Sequence, residues 1–419
     1  MKQSSDLPFS FPKHFLWGAA SSAHQIEGDN HNQWSVWELE NAKVLAETAK
    51  YRAKYLPKWE AVAAQATAPQ NYVSGRGADH YHKYLEDFAL LKKLNMNSWR
   101  FSVEWSRIEP EEGAWNPEAI EHYRTYLKKL AAIGIEPLVT LWHWTVPVWF
   151  EQKGGFTKRA NVAYFTRFVE KVFDELGHHF RYVITLNEPE VYAAKSFLLG
   201  EWPPQERSKI QCLRVVANLV IAHKKAYKIA KTKGRKYLVS IAKNSAHHTA
   251  GDDAKLTEAT KNVHHWFDLL FLRLIRRHID FVGLNYYFSN RYYGYRMHNR
   301  DTHVSDVGWD MQPANIEFVL KDLADRFGKP IIITENGVAD QDDEYRKWWI
   351  TQTLMAMHRA LQNGVQVQGY LHWSLTDNFE WSSGFWPRFG LAAVDYKSRK
   401  RTLRPSALWF AKVIKRLQG

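Results

Sequence analysis

The sequence predicts a single (β/α)8 TIM barrel with extra loop helices on the catalytic face. Eight apolar, strand-like runs alternate with amphipathic helical stretches, and the runs resemble strands that are buried on both faces. No Ser/Gly-rich or Pro-rich spacer divides the 419 residues, so we expect residues 1–419 to form one domain. Eight strand and helix alternations in one domain of this length are best satisfied by a closed parallel barrel.

The predicted strands are separated by enough residues for one helix in each gap. Their ranges are 15–21, 99–105, 137–144, 182–187, 237–244, 281–287, 330–335 and 367–374. Apolar residues recur at three and four positions in the helical stretches 78–94, 117–133, 162–176, 215–230 and 345–361. Asn116 before Pro117 predicts a helix start, and glycines predict helix ends at Gly134, Gly234 and Gly364.

Two segments interrupt the regular alternation. Residues 41–68 form an extra helical stretch in the first and longest gap, which we interpret as an insertion over the top or side of the barrel. The loop 376–390 is rich in Trp, Phe and Gly and is a second candidate for a lid.

Charge and cysteine content limit the possible partners and compartment. The net charge of +13 is compatible with nucleic acid or an anionic membrane, but the basic residues fall among acidic ones at helical spacing, which is typical of solvated helix faces. We therefore expect neither a nucleic-acid nor a membrane partner. Cys212 is the single cysteine, so no internal disulfide forms. Charged residues also break any apolar signal core near the start, and we expect a cytoplasmic protein.

Two predicted strands end in the same way, with a glutamate beside an asparagine. Asn187 and Glu188 end the run 182–189, and Glu335 ends a run of three isoleucines within 330–337. The carboxyl ends of barrel strands build active sites, so these carboxyl groups are placed for chemistry and not for packing. Cleavage of a glycosidic bond needs one carboxyl that donates a proton and another that stays ionised. The pair therefore indicates hydrolysis of sugar bonds.

Eight motifs in order make the chain resemble the family 1 glycoside hydrolases, the β-glucosidase and β-galactosidase group. They lie at residues 15–20 (FLWGAA), 25–28 (QIEG), 100–108 (RFSVEWSRI), 142–144 (WHW), 185–189 (TLNEP), 283–287 (GLNYY), 333–337 (ITENG) and 373–381 (WSLTDNFEW). The resemblance covers nearly the whole length. It implies hydrolysis of β-linked glycosides with retention of anomeric configuration, without metal or organic cofactor.

By this resemblance Glu188 is the acid/base catalyst and Glu335 is the nucleophile. A retaining mechanism predicts that their carboxyl groups are about 5 to 5.5 Å apart. Arg100 and Tyr287 match family positions that hold the nucleophile ionised by charge and hydrogen bonding. Glu188 should have the higher pKa, because it lies near that negative charge in a drier setting.

Sugar recognition follows from the same resemblance. The implied substrate-binding residues are Gln25, His143, Asn187, Trp373, Glu380 and Trp381. Glu380 would accept hydrogen bonds from two glycone hydroxyls, Trp373 would form the floor under the ring and Trp381 would flank it. Asn187 would contact the 2-hydroxyl, an interaction that strengthens in the transition state.

Two departures from the family pattern stand out. His24 precedes Gln25 where the family often has tyrosine, and the segment 245–280 is shorter than usual. A shorter segment would leave the outer wall of the barrel open there. We expect it to expose apolar side chains such as Trp266 and Phe267 or to support a subunit contact.

The sequence does not determine which sugar is the glycone or which group is the aglycone. Glucose is the first choice for the terminal sugar, with galactose and fucose close behind, because Gln25 and Glu380 can serve either epimer at the 4-position. A carboxylate at position 380 disfavours 6-phosphorylated sugars, and an intact Glu188 disfavours a thioglycosidase. The oligomeric state is not determined by the sequence.

Three other functions deserve comparison. The 19 histidines allow a metal-dependent barrel hydrolase, but the zinc signature His-Glu-X-X-His is absent. A non-catalytic sugar-binding barrel would keep the aromatic residues and lose one carboxylate, and here both are present. An endo-acting β-glycanase on a related barrel shares the glutamate pair, although the 378–381 loop favours a closed pocket for one terminal sugar.

Overall fold

Eight parallel strands form a closed barrel in a computed structural model that describes residues 11–233, 237–297 and 303–418. The strands are β1 Leu16–Ala20, β2 Ser98–Ser102, β3 Glu136–Thr140, β4 Tyr182–Asn187, β5 Leu238–Asn244, β6 Val282–Tyr286, β7 Ile331–Asn336 and β8 Val367–Trp373. Each strand pairs in parallel with the next one along the chain, and β8 pairs with β1. The predicted fold class is therefore confirmed.

All eight predicted strands are present, but two of them end three or four residues earlier than predicted. The second was predicted to reach residue 105, whereas β2 ends at Ser102 and a short helix begins at Trp105. The Glu104 side chain accepts a hydrogen bond from the backbone N–H of Ser106 and so caps this helix. The third was predicted to reach residue 144, whereas β3 ends at Thr140.

Helices surround the barrel and cover its outer face. The longer helices are Gln33–Ala53, Trp59–Ala66, His80–Lys93, Pro117–Ala132, Val162–Leu176, Lys209–Thr232, Ala254–Ile275, Ile316–Phe327, Arg346–Gln362 and Pro405–Gln418. Shorter helical turns are Ala23–Ile26, Trp105–Ile108, Val148–Gln152, Pro189–Ala193 and Ala194–Leu198. Two small sheets flank the barrel, one of strands His247–Ala250, Ser289–Tyr293 and Arg296–Met297, the other of Ala392–Val394 and Arg401–Leu403.

The five predicted helices are confirmed, and the predicted stretch 215–230 lies within the longer helix Lys209–Thr232. The Asn116 side chain accepts hydrogen bonds from two backbone N–H groups, as predicted for a helix start. Gly134 and Gly364 have positive φ angles at the predicted helix ends, while Gly234 lies outside the described residues. The predicted helical insertion 41–68 is present as parts of the first two helices.

The buried apolar residues form an inner and an outer layer. The inner layer fills the barrel with side chains such as Leu138, Ile184 and Ile332, and the outer layer packs strands against helices. In the described part of the chain, no helix is both long and apolar enough to cross a membrane.

Candidate active site

Glu188 and Glu335 both lie at the carboxyl end of the barrel. Glu188 directly follows the last residue of β4, and Glu335 is the penultimate residue of β7. Both side chains are buried. The Glu188 backbone has φ +40° and ψ 59°, a left-handed conformation that a residue with a side chain rarely adopts. Such strain is typical of sites where the surrounding structure fixes a functional side chain.

Breaks in the strand pattern turn the site residues of both strands into the barrel. Ile332 lies inside the barrel, so regular alternation would point Glu335, three residues later, outward. The pairing of β7 with β6 shifts register between Ile333 and Glu335, which reverses that direction. In β4 the same interval separates Ile184 from Asn187, and the register again shifts between them.

The carboxylate of Glu335 is held by a cation and a phenol. Arg100, which is fully buried on β2, donates from one terminal nitrogen to Glu335 Oε1. The Tyr287 hydroxyl donates to Glu335 Oε2 at 2.6 Å. Arg100 also donates to Thr140 Oγ1 at 3.0 Å and to Asn187 Oδ1 at 2.7 Å, so its guanidinium cannot rotate freely. The four predicted residues Arg100, Asn187, Tyr287 and Glu335 are therefore in one network.

Glu188 lies in a different environment. Asn285 donates from its side-chain nitrogen to Glu188 Oε1 at 2.8 Å, and Asn244 approaches the same oxygen at 3.4 Å. Among the described residues, no arginine or lysine donates a hydrogen bond to Glu188. Asn285 also donates to Asn187 Oδ1 at 3.2 Å and accepts from the Thr334 hydroxyl, so it links the two strand ends that carry the glutamates.

The different neighbours separate the acidities of the two glutamates. Burial, reinforced by the negative charge of Glu335, raises the pKa of Glu188 to about 7. Burial also raises the pKa of Glu335, but the Arg100 charge and the Tyr287 hydrogen bond oppose that increase. Of these two glutamates, Glu188 is therefore the one that is more often protonated at neutral pH.

The polar residues predicted to bind sugar lie near the two glutamates. Asn187 Nδ2 lies 3.0 Å from His143 Nε2, and the other ring nitrogen of His143 is buried and has no hydrogen-bond partner among the residues that the structure describes. Gln25 donates to the Phe379 carbonyl at 2.8 Å and approaches Glu380 Oε2 at 3.4 Å. Burial and the nearby negative charges of the two other glutamates raise the pKa of Glu380 to about 8.

Two tryptophans face His143. Its ring stacks on Trp373 at 6.0 Å and on Trp381 at 6.1 Å between ring centres. His24 stacks on Trp381 at 5.5 Å, and its Nε2 lies 2.7 Å from the Glu38 carboxylate. The histidine that departs from the family pattern therefore fixes the position of Trp381.

The loop that carries Glu380 and Trp381 is held by the insertion in the first gap and by the short helical turn Pro69–Tyr72 that follows it. Arg52 donates to the backbone carbonyl of Ser382 at 3.3 Å. Asn71 donates to the Ser383 carbonyl at 3.0 Å and accepts from the Phe385 backbone N–H at 3.0 Å. The insertion thus packs on the carboxyl face of the barrel.

Comparison with known proteins agrees with this arrangement. The model of the family described as glycosyl hydrolase family 1 matches residues 8–275 and 268–418. The chain belongs to glycosyl hydrolase family 1. It is 30% identical to β-glucosidase A of Acetivibrio thermocellus over 97% of this chain and 98% of that protein.

Solved structures of family 1 enzymes share the fold over almost the full length. A β-glycosidase from Pyrococcus horikoshii is similar with a TM-score of 0.85 and 33% identity, covering 98% of this chain and 96% of that one. A β-glucosidase from Thermotoga maritima in complex with glucoimidazole is similar with a TM-score of 0.85 and 28% identity, covering 97% and 99%. The protein is therefore a glycoside hydrolase related to β-glucosidases and β-galactosidases.

Sequence reasoning missed three residues that contact the predicted site residues. Asn285, Asn244 and Thr140 contact Glu188 or Arg100 through side chains that attracted no prediction. Asn285 lies in the 283–287 motif, and its position at the end of a predicted barrel strand was the available signal. The other two end β5 and β3 and offered the same signal.

Two further expectations concern histidines and the short segment. Within the described ranges, no group of three or more His, Cys, Asp or Glu side chains could hold a metal ion.

In the short segment, Trp266 and Phe267 are 49% and 54% exposed. The expectation that apolar groups are exposed there is confirmed.

Arg100→Met should destabilise the protein by about 3 to 5 kcal/mol at pH 7, because it leaves the buried Glu335 charge unpaired. Without its cation, Glu335 should have a folded-state pKa still further above its unfolded value. A carboxyl shifted upward costs stability only above the unfolded pKa, so the deficit should shrink as the pH falls from 7 to 5. Urea unfolding at both pH values measures it.

Arg100→Lys is the control, since it keeps the charge and loses the planar fork. Its deficit should depend less on pH than that of Arg100→Met. Equal pH dependence in the two variants would contradict the electrostatic role of Arg100.

Proposed function

We propose that this protein is a retaining exo-β-glycosidase that removes terminal β-D-glucosyl residues from the nonreducing ends of β-linked glycosides or oligosaccharides. The observation that carries the proposal is the unequal pairing of two buried glutamates. Glu335 contacts a guanidinium and a phenol, whereas Glu188 is held by neutral amides. One carboxyl is thereby favoured as an anion and the other as an acid.

The two roles combine in a double displacement. Glu335 attacks the anomeric carbon while Glu188 protonates the departing glycosidic oxygen, which gives a covalent glycosyl-enzyme. Glu188, now ionised, then takes a proton from water, which attacks the anomeric carbon and releases Glu335. We expect the carboxyl groups to be about 5 to 5.5 Å apart, as this mechanism requires.

The remaining pocket residues are proposed to bind the sugar. Asn187 and His143 would contact hydroxyls near the anomeric carbon, and Gln25 with Glu380 would contact the far side of the ring. Trp373 would form the apolar floor and Trp381 would flank the ring. Glucose is the first choice because related proteins are named β-glucosidases, while galactose and fucose stay open.

Two alternative functions are weaker. An endo-acting β-glycanase needs an open cleft, whereas here the loop with Glu380 and Trp381 folds against Gln25 and His143. A non-catalytic sugar-binding barrel would not need the ion pair between Arg100 and Glu335, which stabilises one specific carboxylate.

A panel of nitrophenyl β-D-glycosides tests the substrate class. The β-glucoside should be hydrolysed, with the galactoside and fucoside as the informative comparisons, and soluble β-glucan chains should release single terminal sugars. Release of internal fragments from polymers, with slow turnover of the short glycosides, would favour the endo-acting alternative.

Glu335→Gln should lower kcat by at least about 10^4-fold, because the variant has no anion to form the covalent intermediate. Steady-state hydrolysis of nitrophenyl β-glucoside measures the loss. Glu344→Gln, at an exposed glutamate, is the matched control and should keep full activity. Substantial turnover by Glu335→Gln would rule out the proposed nucleophile.

Glu188→Ala should slow substrates with poor leaving groups by about 10^2 to 10^4-fold, since their departing oxygen needs a proton. Dinitrophenyl glycosides leave without that help, so glycosyl-enzyme formation should be far less affected. Pre-steady-state bursts with both substrate types separate the two effects. Equal losses would count against Glu188 as the acid.

The pH profile of kcat/KM should fall on its basic side with an apparent pKa near 7. Glu188 must hold its proton in the free enzyme, and its pKa is raised to about 7, so the active fraction declines as the pH rises through that value. Glu188→Ala should lose this basic limb when assayed with a dinitrophenyl glycoside. A limb that persists unchanged would assign it to another group.

A further inference from the structure

The helix Ala254–Ile275 presents an apolar stripe to solvent. The exposed fractions of its side chains are 61% for Val263, 49% for Trp266, 54% for Phe267 and 45% for Leu274. These positions, with the half-buried Leu270 between them, recur at three and four residues and therefore lie on one side of the helix. From Val263 to Leu274 the stripe extends for about 16 Å along the axis.

The opposite side of this helix already packs against the protein. Leu269, Phe271, Leu272 and Ile275 are buried in the outer core layer. The helix is therefore apolar on both sides, a composition typical of helices that are buried all round. A contiguous exposed apolar surface of this kind marks an interaction site.

The stripe lies within the segment 245–280, which we expect to be shorter than in the family. The two matches to the family model, residues 8–275 and 268–418, overlap within the same helix.

Charges at the two ends of the helix have opposite sign. Asp252 and Asp253 are exposed at its beginning together with Lys255, which leaves a net charge of −1, and Arg276 and Arg277 are exposed directly after its end. Arg273 lies over the Trp266 ring at 5.6 Å and adds to the basic end. In the first half of the helix, Lys261 is paired with Glu258 at 2.6 Å.

We propose that two copies of this chain pair through the Ala254–Ile275 helix in antiparallel orientation about a twofold axis. In this arrangement each copy places its acidic helix start beside the basic helix end of the other, so the same contact forms twice. The helix dipoles also oppose each other favourably. The two apolar stripes then pack against each other.

The charge distribution favours a second copy over an anionic membrane. A membrane-binding helix carries basic residues along the whole rim of its apolar side. Here Arg273, Arg276 and Arg277 lie at one end of the helix, whereas the other end carries Asp252 and Asp253 with one basic neighbour, Lys255. An anionic surface would repel that acidic end, whereas an antiparallel copy complements it.

Sedimentation velocity at micromolar concentration tests the pairing. The wild-type protein should have about 98 kDa, twice the chain mass of 49.1 kDa. Phe267→Glu with Leu274→Glu should raise the dimer dissociation constant by at least about 100-fold, with unchanged melting temperature and aryl glycosidase activity. Ile210→Glu with Leu213→Glu, at positions 70% and 58% exposed on another helix, is the matched control and should stay dimeric.

A charge exchange tests the orientation. Arg276→Asp with Arg277→Asp should weaken the dimer, and adding Asp252→Arg with Asp253→Arg should restore it. Failure of the second pair to restore association would overturn the antiparallel arrangement.

Three results would overturn the self-pairing itself. They are a monomeric wild-type protein, a dimer that Phe267→Glu with Leu274→Glu does not weaken, and a monomer that co-sediments with phosphatidylserine vesicles through the same residues. The last would assign the stripe to a membrane. Hydrolysis by the monomeric variant keeps this test separate from the proposed catalytic function.

Discussion

The ion pair between Arg100 and Glu335 is the interaction on which the site depends. A buried guanidinium and a buried carboxylate each lose the hydration of their charge. The attraction between Arg100 and Glu335 offsets this desolvation cost for both groups. Arg100 also orients Asn187, and Asn187 shares Asn285 with Glu188. One cation thus fixes the charge of one glutamate and, through two amides, the position of the other.

The barrel supplies these groups through local departures from regular structure. Parallel strands alternate their side chains strictly, and strict alternation would turn Glu335 away from the interior. The register shifts in β4 and β7 reverse the direction just before the functional residues, after the apolar parts of both strands have been packed. In both strands, the residues that pack the core therefore come first, and the polar residues of the site follow the register shift.

Much of this arrangement was predictable from the sequence. Isoleucine runs and strand-end glutamates indicate the barrel and its carboxyl face, because burial on both faces leaves a recognisable pattern. The pattern does not reveal register shifts, since these depend on how neighbouring strands pair. Asn285 was missed for a related reason: a neutral amide has no charge to single it out, and its importance lies in which two strand ends it joins.

Several helices were also missed, and two of them differ in how well their pattern shows in the sequence. Ile316–Phe327 has a regular buried side, with Ile316, Val319, Leu320 and Leu323, and was detectable by its spacing. Ala254–Ile275 carries apolar residues on opposite sides, so no single amphipathic period distinguishes it from a strand or a mixed segment. Apolar residues on both sides make this helix difficult to recognise in the sequence, and in the structure they produce its exposed apolar stripe.

The loop that carries Glu380 and Trp381 is attached to a different part of the chain from Arg100 and Glu335. Its backbone is held by Arg52 and Asn71, which lie in and directly after the inserted helices, whereas Arg100 and Glu335 belong to barrel strands. Mutations in the inserted helices can therefore shift this loop while the buried ion pair stays in place.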